Sequence, residues 1–104
     1  MSVVVVATIT PKPEHLDEVI AAMKKAVPLV HEEDGCELYA LHADDEQLVM
    51  IERWTSREAL KKHGTDSPGL RVFNAAIGGK LAAPTVVLRL DAVPAGDPAK
   101  GQLS

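Results

Sequence analysis

The order of strand-like and helix-like segments is the feature of this sequence that most restricts its fold. Residues 2–10 are mostly β-branched and stop at Pro11 and Pro13, which cannot continue a central strand. Beyond them, apolar residues recur at the spacing of one helical face, at Leu16, Val19, Ile20, Met23, Val27 and Val30. Pro28 should kink this helix or end it around residues 24–27, because proline removes a backbone donor and clashes with the preceding turn.

The rest of the chain predicts three more strands. Residues 36–43 and 47–54 read as an antiparallel hairpin around the acidic turn at 44–46, and residues 85–93 as the last strand. Helical segments separate this hairpin from the last strand. The order β-α-β-β-α-β predicts a ferredoxin-like α+β fold, in which a four-stranded antiparallel sheet carries the helices on one face.

Polar residues mark where those later helices begin. Thr55 and Glu58 form a capping box that predicts a short helix running to about His63. A further helix follows, with Asp66 or Ser67 as its N-cap, because a proline occupies the next position, where the first helical turn tolerates it.

Both faces of the hairpin are apolar, and this predicts a second copy of the chain as a partner. One face carries Tyr39, Leu41, Met50, Glu52 and Trp54 and is expected to lie under the helices, whereas the other carries Cys36, Leu38, Ala40, Val49 and Ile51. The predicted pairs are Tyr39 with Glu52 and Leu38 with Arg53. A soluble monomer does not leave a whole aliphatic sheet face in water, so we expect a homodimer with the two sheets face to face.

Composition excludes several classes of partner. The 15 acidic and 11 basic residues give a net charge of −4, which disfavours nucleic-acid binding. The single cysteine allows no internal disulfide, and the N-terminal apolar run is too short for a signal peptide or a membrane helix, so we expect a cytoplasmic protein with no membrane contact. Residues 1–94 are expected to form one domain and residues 95–104, which lack periodicity, a flexible or partner-docking tail.

A set of short motifs resembles the antibiotic biosynthesis monooxygenase family. Glu33-Asp34-Gly35-Cys36 is followed by Tyr39, then by Ile51-Glu52-Arg53-Trp54, then by Glu58-Ala59-Leu60 and His63. The family has the pattern E-x-G-C, Y, E-R-W and E-A-L-x-x-H in this order. The resemblance covers roughly residues 3 to 93 and implies a dimeric ferredoxin-like α/β barrel, similar to quinol monooxygenases, with a pocket between sheet and helices.

The resemblance implies a cofactor-independent monooxygenase that oxidises a quinol-like or polyketide-like phenol, and three residues are candidates for its catalysis. His63 is the expected proton acceptor, since imidazole exchanges protons near neutral pH. Trp54 would stack on an aromatic ring or donate its indole N–H. Glu52 is a carboxylate on a sheet face under helices and therefore needs a partner. Each also has a structural interpretation: His63 as a residue at a helix end, Trp54 as part of the core and Glu52 as a paired carboxylate.

Three further residues are candidates for substrate binding. Tyr39 would donate a hydrogen bond, Phe73 would form a wall of the cavity and Arg71 would stabilise an anion, although the first two are core residues by default. The family's haem-degrading branch would require an Asn, a Trp and a His at three positions. This chain has Val6, His63 and Phe73 there instead. This departure, together with the scattered histidines, predicts no metal, haem or other cofactor. An isomerase that uses His63 for proton transfer, and a module that only binds a small hydrophobic ligand, stay open as alternatives.

Overall fold

The computed structural model describes residues 2–103 and confirms the ferredoxin-like α+β architecture. The elements follow one another as β1 (Val3–Ile9), a short 3₁₀ turn (Pro13–His15), α1 (Leu16–His31), β2 (Cys36–Ala43), β3 (Leu48–Trp54), α2 (Arg57–Thr65), α3 (Pro68–Ala76) and β4 (Val86–Asp91). The four strands form one antiparallel sheet in the order β2-β3-β1-β4.

One face of this sheet is buried under the helices. Alternate residues of β1 and β3 are buried, which is the period that a strand covered on one side requires. They pack with α1 and α3 into a single core, whose largest fully buried side chains are Trp54, Met23, Leu48 and Met50. The opposite face, here called the open face, is covered by no helix of residues 2–103 and includes Val4, Val6, Ala40 and Ile51.

The β2–β3 hairpin has the predicted register. Tyr39 lies opposite Glu52 and Leu38 opposite Arg53. In the turn, one carboxylate oxygen of Asp44 accepts hydrogen bonds from the backbone N–H groups of Glu46 and Gln47, at 2.8 and 3.0 Å. These two hydrogen bonds hold the turn in one conformation, and the turn in turn helps fix which residues of β2 and β3 lie opposite each other.

The predicted position of Cys36 on the open face is wrong. The register shifts between Cys36 and Leu38, so Cys36 lies opposite Trp54 and packs against the core under the helices. A bulge at the start of a strand adds one residue and reverses the side to which the preceding residue points. Burial raises the pKa of this thiol to about 11, which keeps it protonated.

The helix boundaries correct two further predictions. Pro28 does not end the first helix, which continues to His31, because buried Val30 anchors its last turn and water can reach the exposed residues around Pro28. The side chain that caps α2 is that of Ser56 rather than Thr55: its Oγ accepts from the backbone N–H of Ala59. Of the two candidates for capping α3, Ser67 does so.

Strand β4 is an edge strand whose residues are all exposed. Val86, Leu88 and Leu90, at 57%, 52% and 44% exposure, continue the open face next to Val4 and Val6. No helix within residues 2–103 combines the length and apolar character needed to cross a membrane.

Candidate active site

A cavity of about 610 Å³ lies between the helix side of the sheet and the helices. Its floor is formed by the buried residues of β1 and by Val87 of β4, and its walls by Met23, Leu60, Leu70 and Phe73. This size is typical of sites that enclose a small ligand, and the apolar lining suits a flat aromatic ring.

Among the polar side chains that line this cavity, three that are buried come from three different elements. Tyr39 and Glu52 are cross-strand neighbours on β2 and β3, and His63 projects from α2. Every fully buried polar side-chain atom within residues 2–103 has a hydrogen-bond partner. Three atoms at the cavity have no such partner in that range: the Tyr39 hydroxyl, Glu52 Oε2 and His63 Nε2. These three atoms must therefore be accessible from the cavity, where a ligand can reach them.

Contacts with three neighbouring side chains hold His63 in one orientation. Its Nδ1 lies 2.9 Å from Glu33 Oε1, and both side chains are largely buried. Its ring lies against the indole of Trp54, with a centroid distance of 4.5 Å, and meets the edge of the Tyr39 ring at 5.4 Å. A carboxylate accepts only, so in the neutral ring Nδ1 carries the proton and the lone pair of Nε2 faces the cavity.

Glu33 is a candidate site residue that the sequence analysis did not nominate. Its second oxygen accepts a hydrogen bond from the Ser67 hydroxyl at 2.6 Å, and Ser67 Oγ in turn accepts from the backbone N–H of Leu70 at 3.1 Å. One carboxylate thus links His63 of α2 to the N-terminus of α3. The available signal was the E-x-G-C motif, of which Glu33 is the first residue.

Gly35 explains why that motif contains a glycine. Its φ of +84° is left-handed, and a Cβ at this position would overlap the side chains of Ala59 and Thr55. The Gly35 carbonyl accepts from the backbone N–H of Thr55 at 2.9 Å. The connection between α1 and β2 therefore packs directly on the start of α2, and this close approach brings Glu33 to His63.

Glu52 has the partner that its position requires. The indole N–H of Trp54 donates to Glu52 Oε1 at 2.9 Å. Burial raises the pKa of Glu52 to about 7, against the lowering effects of the Trp54 hydrogen bond and of the Arg89 charge. This carboxyl group therefore holds its proton to a higher pH than an ordinary glutamic acid does.

The Tyr39 phenol stays protonated. Burial is the main reason that its pKa is raised, and the nearby carboxylates of Glu52 and Glu33 raise it further. Tyr39 can consequently donate a hydrogen bond to an oxygen atom in the cavity throughout the neutral range.

The remaining predicted site residues divide between the cavity and its surroundings. Phe73 lines the cavity, whereas Trp54 is fully buried behind His63 and Glu52 and supports them. Arg71 lies outside the cavity, exposed, with its guanidinium 3.0 Å from a carboxylate oxygen of Asp66. Within residues 2–103, no three His, Cys, Asp or Glu side chains lie close enough together to share a metal ion.

Comparison with known proteins places the chain in a family. A model of the family described as "Antibiotic biosynthesis monooxygenase" matches residues 2–76. The chain is 35% identical over 87 residues to a Mycobacterium tuberculosis (strain H37Rv) protein named "Putative monooxygenase Rv0793". The aligned region covers 82% of this chain and 85% of that protein.

Solved structures agree with this match. The structure of Rv0793 superposes with a TM-score of 0.80 at 31% identity, over 93% of this chain and 100% of that one. A Caulobacter crescentus CB15 structure, described as a "putative antibiotic biosynthesis monooxygenase", gives a TM-score of 0.78 at 29% identity, over 88% and 90% of the two chains. The fold, the ordered motifs and these matches agree, and the chain belongs to the antibiotic biosynthesis monooxygenase family.

Proposed function

We propose that this protein is a cofactor-independent monooxygenase that oxidises a quinol-like or polyketide-like phenol with dioxygen. The observation that carries the proposal is the meeting of His63 Nε2, Glu52 Oε2 and the Tyr39 hydroxyl at one apolar cavity. A phenol needs such a site: an apolar space for its ring, a group that accepts its proton, and a donor for the resulting anion. The family supports the reaction class.

His63 acts as the general base in this proposal. Nε2 accepts the phenolic proton, and the imidazolium that forms is stabilised by the Glu33 carboxylate at Nδ1. Because Glu33 and Trp54 hold the His63 ring in one rotamer, the lone pair of Nε2 already points in the direction needed to accept the proton. Tyr39 donates to the phenolate oxygen and keeps that charge near the base.

The substrate itself supplies the electrons. For a quinol the balanced change is quinol plus dioxygen to hydroxyquinone plus water. One oxygen atom converts a ring C–H into C–OH, and the other leaves as water with two hydrogen atoms from the substrate, which supplies all four electrons. Glu52, whose pKa lies at about 7, returns a proton to the reduced oxygen species.

Oxygen uptake tests the proposal. Protein and a panel of hydroquinones and anthrones are mixed anaerobically, and then ¹⁸O₂ is admitted. The expected result is uptake above the rate without protein and one ¹⁸O atom in the product. His63→Gln should abolish the excess rate, whereas His15→Gln, which alters a half-buried histidine outside the cavity, should keep it. Turnover without dioxygen would instead indicate an isomerase, and binding without turnover a ligand-binding module.

We also propose that residues 1–94 form one domain and that the protein is a homodimer in which the open faces of two sheets are in contact. We propose the cytoplasm as its location. Exposed Leu88 and Leu90 support this arrangement, since apolar residues on a sheet face favour burial. Arg53, on the same face, donates to the carbonyl oxygen of Leu103 at 2.9 Å, which supports a docking role for the tail 95–104.

A further inference from the structure

Basic side chains gather at one end of the cavity in a chain that is acidic as a whole. Arg57 and Lys61 of α2 and Arg89 of β4 line it there, with Asp91 paired to Arg57 and with Glu52 near enough for the Arg89 charge to lower its pKa. We propose that this end binds an anionic group, a carboxylate or a phosphate, carried by the aromatic substrate. The inference deepens the proposed function and rests on it, since it assigns a charge class to the substrate of the same site.

The sheet register places this basic end at a defined distance from the proton-transfer groups. Tyr39, Glu52, Val5 and Arg89 lie side by side on four adjacent strands and face the cavity in one row. Adjacent strands are about 4.8 Å apart, so the backbones of Glu52 and Arg89 are about 10 Å apart. Val5 leaves an apolar gap between them, which one ring system fills.

The basic groups differ in how far they are already neutralised. Arg57 pairs with Asp91, at 3.3 Å, across the gap between α2 and β4. Lys61 and Arg89 form no ion pair with any other residue in the described range 2–103, although both line the cavity. Two positive charges are therefore free for a ligand, and a guanidinium binds a carboxylate or a phosphate through two parallel hydrogen bonds.

This arrangement predicts the orientation of the substrate. The phenolic oxygen lies toward His63 and Tyr39, the ring lies over Val5, and the anionic group points toward Arg89 and Lys61. The opposite orientation would bring the anion against the Glu52 carboxylate, which repels it whenever that group is ionised. The basic end thus selects both a class of substrate and the ring position that meets the base.

A matched pair of ligands tests the inference by binding alone. The dissociation constants of 1,4-dihydroxy-2-naphthoate and its uncharged methyl ester are measured by calorimetry under anaerobic conditions. The carboxylate should bind about tenfold more tightly, and the preference should weaken as salt is added. Equal affinity for both compounds, or no binding of either, would overturn the inference.

Variants locate the preference. Arg89→Gln and Lys61→Gln should each reduce the preference for the carboxylate and leave the affinity for the ester unchanged. Lys62→Gln, the same change one position along the same exposed helix but outside the cavity, should leave both unchanged. A preference that persists in the Arg89→Gln, Lys61→Gln double variant would contradict the proposed contact.

The same ligands separate this inference from the proposed reaction. Oxidation of the ester as rapid as that of the carboxylate, with equal binding, would leave the monooxygenase proposal standing and overturn the anion site. Selective binding of the carboxylate with no oxygen uptake would support the anion site and contradict the monooxygenase.

Discussion

The imidazole ring of His63 lies over the indole ring of Trp54, with centroids 4.5 Å apart and planes inclined by 32°. The same indole donates its N–H to Glu52. Trp54 therefore contacts both His63 and Glu52 without lining the cavity, and its position constrains the two side chains together.

Replacing the indole should separate these two roles. Trp54→Phe keeps an aromatic surface beneath His63 but leaves Glu52 Oε1 without its donor. We expect the free energy of unfolding to fall by about 1–3 kcal/mol, measured by urea denaturation. In a Glu52→Ala background the same change should cost less, and an equal cost in both backgrounds would show that the hydrogen bond contributes nothing.

Glu52 should make stability depend on pH in the neutral range. Its pKa is raised from 4.5 to about 7 in the folded protein, so its contribution is complete at low pH and is lost as the pH rises through 7. Relative to Glu52→Gln, the wild-type protein should lose on the order of 2–3 kcal/mol of unfolding free energy between about pH 5 and pH 8. Parallel pH curves for the two proteins would contradict the raised pKa.

Glu33 should determine which nitrogen of His63 carries the proton. In Glu33→Gln the amide can present its N–H₂ group to Nδ1, so that the proton moves to Nε2 and the base loses its free lone pair. We expect ¹⁵N spectra of His63 to change tautomer and kcat to fall by about 10²-fold or more, with KM changed little. Glu32→Gln, an exposed neighbour, is the control. An unchanged tautomer in Glu33→Gln would remove the positioning role.

The left-handed glycine should tolerate no side chain. Gly35→Ala adds a methyl group at φ +84° and against Ala59, and we expect a loss of about 2–4 kcal/mol. Gly78→Ala is the matched control, because its Cβ would enter open space. Thermal denaturation compares the two. Equal midpoints would show that the chain around Gly35 moves at little cost.

Charge on the open face should break the proposed dimer. Leu88→Lys places an ammonium group on the expected contact face and should lower the sedimentation coefficient to that of a monomer. Val72→Lys, a similarly exposed apolar residue on α3, should leave the assembly unchanged. A wild-type protein that sediments as a monomer at micromolar concentration would contradict the dimer itself.

The strand pattern and the hairpin faces were predictable because alternation with period two is written locally in the sequence. Tyr39 and Glu52 could be paired from the turn length alone, and the structure pairs them. Cys36 could not be placed, because a bulge leaves no mark in composition. Pro28 misled for a related reason: local rules give the cost of a helical proline, and the buried Val30 beyond it offsets that cost.

The site was predictable in its parts but not in its connections. His63 could be nominated by residue type, whereas its partner Glu33 lies 30 residues earlier in a connection that reads as solvent-exposed. Arg71 has the charge expected of an anion-binding residue, yet α3 carries it to the surface beside Asp66. Contacts between separate elements depend on tertiary packing, and no local pattern encodes them.

The Asp44 turn has an effect at the far end of the hairpin that it closes. Because pairing with β1 holds β3 in place, a shift of one residue there would send Tyr39 of β2 to the open face and bring Leu38 under the helices, while Glu52 would keep its side. The cavity would then exchange a phenol for an aliphatic side chain. Two hydrogen bonds that Asp44 accepts, at an exposed position outside the cavity, thus help decide whether the cavity contains a phenol at all.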